Sequence, residues 1–104
     1  MNTGATIQKL RKGKKVNQDE FAKRIGISTA ALSHIETNLS NPKTSTLQKI
    51  CEELNISVEL LHLLSLDESS IPEQNRESYG NMFPQVHDLM IKIFSESPDK
   101  ILKD

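Results

Sequence analysis

The chain holds 104 residues, enough for one small domain and an appendage, and no apolar run approaches the ~20 residues that cross a bilayer. Hydrophobic residues make up 36% and aromatic ones only 4%, so a core must come from Leu, Ile and Val, which suits a helical bundle. The net charge of −1 divides into +6 over residues 1–50 and −7 over residues 51–104; a basic front half suits a polyanion, and an acidic rear half is held away from it.

The N-terminus lacks the apolar stretch of a signal peptide, and the single Cys51 cannot close an internal disulfide. The expectation is a soluble cytoplasmic protein with no membrane partner. Taken in order, residues 4–13 read as a first helix with Ile7 and Leu10 inward and Lys9, Arg11 and Lys12 around them. Gly13-Lys14-Lys15 is a basic turn into Val16, which packs ahead of the next helix as a hydrophobic staple. Asn17 caps that second helix, with Glu20 reaching back as in a capping box, and Phe21, Ala22 and Ile25 share its inner face.

Gly26 supplies the left-handed residue that ends the second helix, and Ser28 caps the third. Leu32 and Ile35 point inward there, which leaves Thr29, Ala30, Ser33 and His34 facing out. Two short helices braced at a glycine turn, the second with small and hydrogen-bonding outward residues, fit a DNA major groove. Residues 37–42 form a loop by composition, in which Asn38 is suited to the left-handed conformation. A fourth helix runs from Ser45 to Leu54, with Ser45 and Gln48 as a capping box and Leu47, Ile50, Cys51 and Leu54 inward; Cys51 is then a small core residue. Ser57 caps a fifth helix with Val58, Leu61 and Leu64 inward, while Leu60, Leu63 and Leu66 widen its apolar girdle.

Residues 67–83 are polar, broken by Pro72 and Gly80, and read as a linker. A sixth helix starts at Pro84 in its first turn, with Val86, Leu89, Met90, Ile93 and Phe94 on one stripe; Pro98 ends or kinks it, and Ile101 and Leu102 suggest one more turn. The architecture expected is all-α: a helix-turn-helix domain over residues 1–66, the linker, and a C-terminal amphipathic helix over 84–104. His34, His62 and His87 fall on three different helices. No HxxxH, CxxC, paired-carboxylate or glycine-rich phosphate motif is present, so no enzyme, metal or cofactor is expected.

Asn17-Gln18-x-x-Phe21-Ala22-x-x-Ile25-Gly26-Ile27-Ser28 followed by Leu32-x-x-Ile35-Glu36 resembles the Cro/repressor-type (XRE, lambda-repressor-like) helix-turn-helix family. The likeness continues through Asn41-Pro42, Thr46-Leu47-x-x-Ile50-Cys51 and Ile56-Ser57-x-x-Leu60-Leu61, and spans roughly residues 5–66. It implies a five-helix DNA-binding domain whose third helix reads base edges through Thr29, Ala30, Ser33 and His34. Gln18, at the start of the second helix, holds a phosphate with the free backbone N–H groups there. Lys14, Lys15, Asn38, Asn41 and Lys43 complete the expected phosphate contacts. Thr37 and Leu39 stand where the family often carries basic residues. Glu36, an acid beside a polyanion, is expected to orient a neighbouring donor, or else to be a solvated carboxylate.

No Arg, Asn or Gln stands on the third helix's outward face for a bidentate base contact, so shape, water and methyl contacts carry specificity. The expected function is a homodimeric regulator of transcription, most simply a repressor, on a roughly palindromic operator in double-stranded DNA. The alternative is an antitoxin or phage-type switch component whose C-terminal segment binds a protein partner. Two surfaces are candidates for the dimer contact: Leu60 and Leu63 on the fifth helix, and the stripe of Val86, Leu89, Met90, Ile93 and Phe94. The alternative for that stripe is folding back on its own domain.

Overall fold

The computed structural model describes residues 2–95, and its six helices follow one another without any strand among those residues. α1 runs over Thr3–Gly13, α2 over Gln18–Ile25, α3 over Thr29–Glu36, α4 over Thr44–Leu54, α5 over Val58–Leu64 and α6 over Arg76–Ser95. Asn17, Ser28 and Ser57 each cap the helix that follows, their side-chain oxygens accepting from Glu20, Ala31 and Leu60 N–H at 2.8, 3.0 and 3.0 Å. These bonds satisfy donors that a helix start otherwise leaves bare. Gly26 (φ 78°) ends α2 in the left-handed region, and Asn38 (φ 63°) and Asn55 (φ 58°) do the same after α3 and α4.

Both expected capping boxes dissolve. Glu20 turns outward to Arg24 at 3.1 Å, one helical turn on. α4 starts at Thr44 with Lys43 in the cap position and no side-chain acceptor, so Ser45 lies inside the helix.

The core of the first five helices is one cluster: Ile7, Leu10, Phe21, Ala22, Ile25, Leu32, Ile35, Ile50, Cys51, Leu54, Leu61 and Leu64. Val16 and Leu47 pack against it half-buried. Burial pushes the Cys51 thiol up from its ordinary range, which keeps it protonated and unreactive. The start of α1 is tied to two other helices. Asn2 N–H donates to the Ser65 carbonyl after α5 at 2.7 Å, and the Asn38 amide bonds both Gly4 N–H (3.1 Å) and Asn2 Oδ1 (2.8 Å). Gly4 has no room for a side chain, because a Cβ there would stand 2.3 Å from the Ile35 carbonyl oxygen.

The segment expected as a linker is shorter than its composition suggests. Two single 3₁₀ turns, Glu68–Ser70 and Glu73–Asn75, lead directly into α6, which begins at Arg76 and not at Pro84. Gly80 and Pro84 therefore sit inside a helix. Pro84 leaves the Gly80 carbonyl without its helical N–H, and both residues are exposed, so the freed oxygen is open to solvent.

α6 folds back on its own chain, mainly along α1. Met90, Ile91 and Phe94 pack against the core cluster, Tyr79 stacks on Phe83 at 4.9 Å, and His87 Nε2 donates to the Leu64 carbonyl. Its last described turn seats Ser95 on Gly13, where a Cβ would lie 2.2 Å from that of Ser95. Pro98, Ile101 and Leu102 lie outside the described residues.

Candidate nucleic-acid interface

α3 packs on α1 and α2 through Leu32 and Ile35, which dictates what it shows on the other side. Thr29 and Ser33 are half-buried, and Ala30 and His34 are exposed. Spacings of three and four along a helix place the four on one stripe, away from the core. Ser28 is consumed by its cap bond to Ala31, so it is a structural residue of the turn.

What holds α3 at its angle is a buried ion pair. The Arg11 guanidinium meets the Glu36 carboxylate as a two-pronged fork, Nε to Oε2 at 2.7 Å and Nη2 to Oε1 at 3.0 Å. Its remaining Nη1 donates to the Val16 carbonyl at 2.8 Å, in the turn between α1 and α2. Glu36 Oε1 also accepts the Gln18 side-chain amide at 3.1 Å. One carboxylate at the end of α3 therefore fastens α1 and the first residue of α2. All its neighbours are donors, as a buried charge requires.

Glu36 thus orients a neighbouring donor as expected, and it does so from inside the protein. Arg11, expected on the surface of α1, is buried instead. The sequence carried one signal for this pair. Glu36 is one of only three acids in the first fifty residues, and it stands at the end of a helix meant to face a polyanion.

Gln18 is half-buried, held by Glu36 at the start of α2, where the first backbone N–H groups open outward. Lys14 and Lys15 stand in the turn just before it, Lys15 in the left-handed region at φ 59°. Asn41 and Lys43 are exposed on the far side of α3, in the stretch leading to α4. Asn38 departs from its expected role. Its side chain is engaged by Gly4 and Asn2, so it serves the fold. Leu39, 75% exposed beside it, gives the loop after α3 an apolar tip, its N–H bonded to the His34 carbonyl at 2.8 Å.

The two candidate dimer surfaces also separate. On α5, Leu60 is half-buried against the core and Leu63 is exposed. On α6, Met90 and Phe94 face their own domain, whereas Val86, Leu89 and Ile93 face out. Among the described residues no three His, Cys, Asp or Glu side chains converge as metal ligands, and no helix is long and apolar enough to cross a membrane.

A family model described as helix-turn-helix matches residues 7–61, more than half of the chain. The chain belongs to the XRE-type helix-turn-helix family. It is similar to the ImmF control region 10 kDa protein of Bacillus phage phi105, 36% identical over 63 residues that cover 61% of this chain and 70% of the relative. It is also similar to antitoxin HipB of Escherichia coli (strain K12), 37% identical over 60 residues covering 58% and 68%. Antitoxin PezA of Streptococcus pneumoniae serotype 4 shares 39% over 54 residues, 52% of this chain but only 34% of its own length. No solved structure matches the chain.

Within the XRE-type frame, α2 and α3 are the helix-turn-helix pair, and the family identifies the chain as a DNA-binding regulator. The matched region stops at residue 61, before α6, so the C-terminal helix is an addition to the family domain.

Proposed function

We propose that this XRE-type chain is a homodimeric repressor that reads a roughly palindromic operator. In this reading α3 enters the major groove with Thr29, Ala30, Ser33 and His34 on base edges. Gln18, Lys14, Lys15, Asn41 and Lys43 take the flanking phosphates, and Asn38 drops out of the contact set. The observation that carries the reading is the Gln18 amide, pinned at 3.1 Å by the acid that ends α3. A side chain so held meets a phosphate without first losing rotamer freedom, and it registers α3 on the duplex.

One domain offers too few base contacts for useful specificity, so two copies on half-sites about 34 Å apart are needed. A second reading has its own support. The similarity to a phage control-region protein and to two antitoxins favours a switch component that also binds a protein, with the helix beyond the family domain as the segment available for it.

Selection from random duplex DNA by the full chain at moderate salt tests both. Enrichment of an inverted repeat is the expected result. A lone half-site keeps DNA binding and removes the symmetric dimer, and no enrichment by folded protein removes autonomous DNA reading.

A further inference from the structure

We infer that the outward face of α6 is a two-fold seam, on which α6 of one copy packs antiparallel against α6 of a second copy. The inference rests on the homodimer reading above and gives that dimer a location the family domain does not contain.

Four apolar side chains stand out of the helix into solvent: Met82 (68% exposed), Val86 (48%), Leu89 (59%) and Ile93 (40%). Their spacing is four, three, four, which lines them along one side of an α-helix over ~17 Å. A neighbouring stripe with the same spacing, Phe83, His87, Met90 and Phe94, turns the other way. Met90 and Phe94 lie on the core, and His87 is bonded to the Leu64 carbonyl. α6 thus carries two parallel stripes, one covered by its own domain and one uncovered. Among the described residues, no side chain of its own domain covers the second stripe.

Two features fit a second copy as the occupant. The spacing reads the same from either end, so it is symmetric about a point between His87 and Asp88. Antiparallel pairing about that point sets Val86 opposite Leu89 of the second copy, and Met82 opposite its Ile93. A surface that must match itself needs this self-complementarity. The second feature is charge. Between Ser78 and Ser95 the helix carries only Asp88 and Lys92, one of each sign, so two copies meet without like-charge repulsion. A strongly acidic or basic partner finds nothing on the stripe to recognise.

A seam this short falls well below the roughly 800 Å² per side of a standard stable interface. Free protein therefore dimerises weakly, in the micromolar range, and two tethered half-sites tighten the pair.

The test is sedimentation equilibrium of the full chain without DNA, from about 5 to about 200 µM, where mass action moves the population of the pair. The parent is expected to pass from monomer to dimer across that range. Val86→Lys and Leu89→Glu singly should each hold the chain monomeric with unchanged helix content. Leu63→Glu, on the exposed part of α5, should leave the transition in place. The double variant Val86→Lys/Leu89→Glu should regain the dimer, because antiparallel pairing brings the two opposite charges together across the seam, whereas parallel pairing sets like against like.

A parent that stays monomeric at the highest concentration overturns self-pairing and leaves the stripe to a different protein. Dissociation by Leu63→Glu but not by Leu89→Glu overturns it in favour of α5. A double variant that remains monomeric overturns the antiparallel register. DNA affinity measured on the same samples separates the two claims. A monomeric parent that binds DNA sinks the seam alone, and a dimeric parent with no DNA affinity sinks the DNA reading alone.

Discussion

In the proposed reading Gln18 takes a phosphate and His34 a base edge, and their substitution separates the two kinds of contact. Gln18→Ala removes a hydrogen bond to a charged oxygen, about 1.5 kcal/mol or roughly tenfold in affinity, for every DNA sequence alike. His34→Ala is expected to cost about 1 kcal/mol on the preferred site only, and to relax choice at one position of each half-site. Fluorescence anisotropy against a panel of single-base operator variants distinguishes them, and a uniform loss for His34→Ala would take that residue off the base edges. Glu36 belongs to the same scale. Glu36→Ala leaves Arg11 charged, buried and without its carboxylate, a loss of about 3–5 kcal/mol out of a typical 5–15. The pair Arg11→Met with Glu36→Leu should regain most of that stability in urea melts, since apolar replacements of similar size avoid the desolvation cost. DNA affinity should not return with it, because Gln18 has lost the oxygen that holds it. Recovery of both would reduce the ion pair to a packing device.

At the scale of the element, α6 is held by the close approach of Ser95 to Gly13 of α1 at one end and, nearer its middle, by His87, whose Nε2 donates to the Leu64 carbonyl of α5. Gly13 matters because Ser95 rests where its side chain would be. Gly13→Ala is expected to push the last described turn of α6 away from α1. Hydrogen exchange would show that turn losing protection while α2 to α5 keep theirs. Unchanged exchange throughout α6 would mean the contact is not what seats it. The helix-turn-helix pair is more robust, because its two caps and its glycine turn are all satisfied within residues 17–31.

For the whole molecule, the question is what α6 adds to a domain already closed by its own core. Met90, Ile91 and Phe94 are only half-buried, so together their burial stabilises by about 3 kcal/mol. A chain cut after Leu66 should therefore still melt cooperatively, but about 10 °C or more lower. It should sediment as a monomer and contact DNA through a single half-site. Loss of the cooperative transition in calorimetry would show that the five-helix unit depends on α6 for its folding.

Much of this was legible in the residues taken alone, for reasons that are local. The cap at Asn17, the glycine turn at Gly26, the cap at Ser28 and the apolar positions from Ile7 to Leu64 act within a turn or two of chain, so spacing reports them directly. The same locality turns Thr29, Ala30, Ser33 and His34 away from the core, because Leu32 and Ile35 leave them one side of α3. Three things lay beyond that reach. Residues 76–83 look like linker because Gly80 and a proline shortly after it argue against helix, yet helix persists where Phe83 and Tyr79 stack and α1 provides a surface. Asn38 looks like a phosphate contact until the start of α1 arrives to use its amide. Arg11 and Glu36 are both charged and 25 residues apart. Only the packing of α1 against α3 makes a buried pair of them, because burying either charge requires the other to be in place.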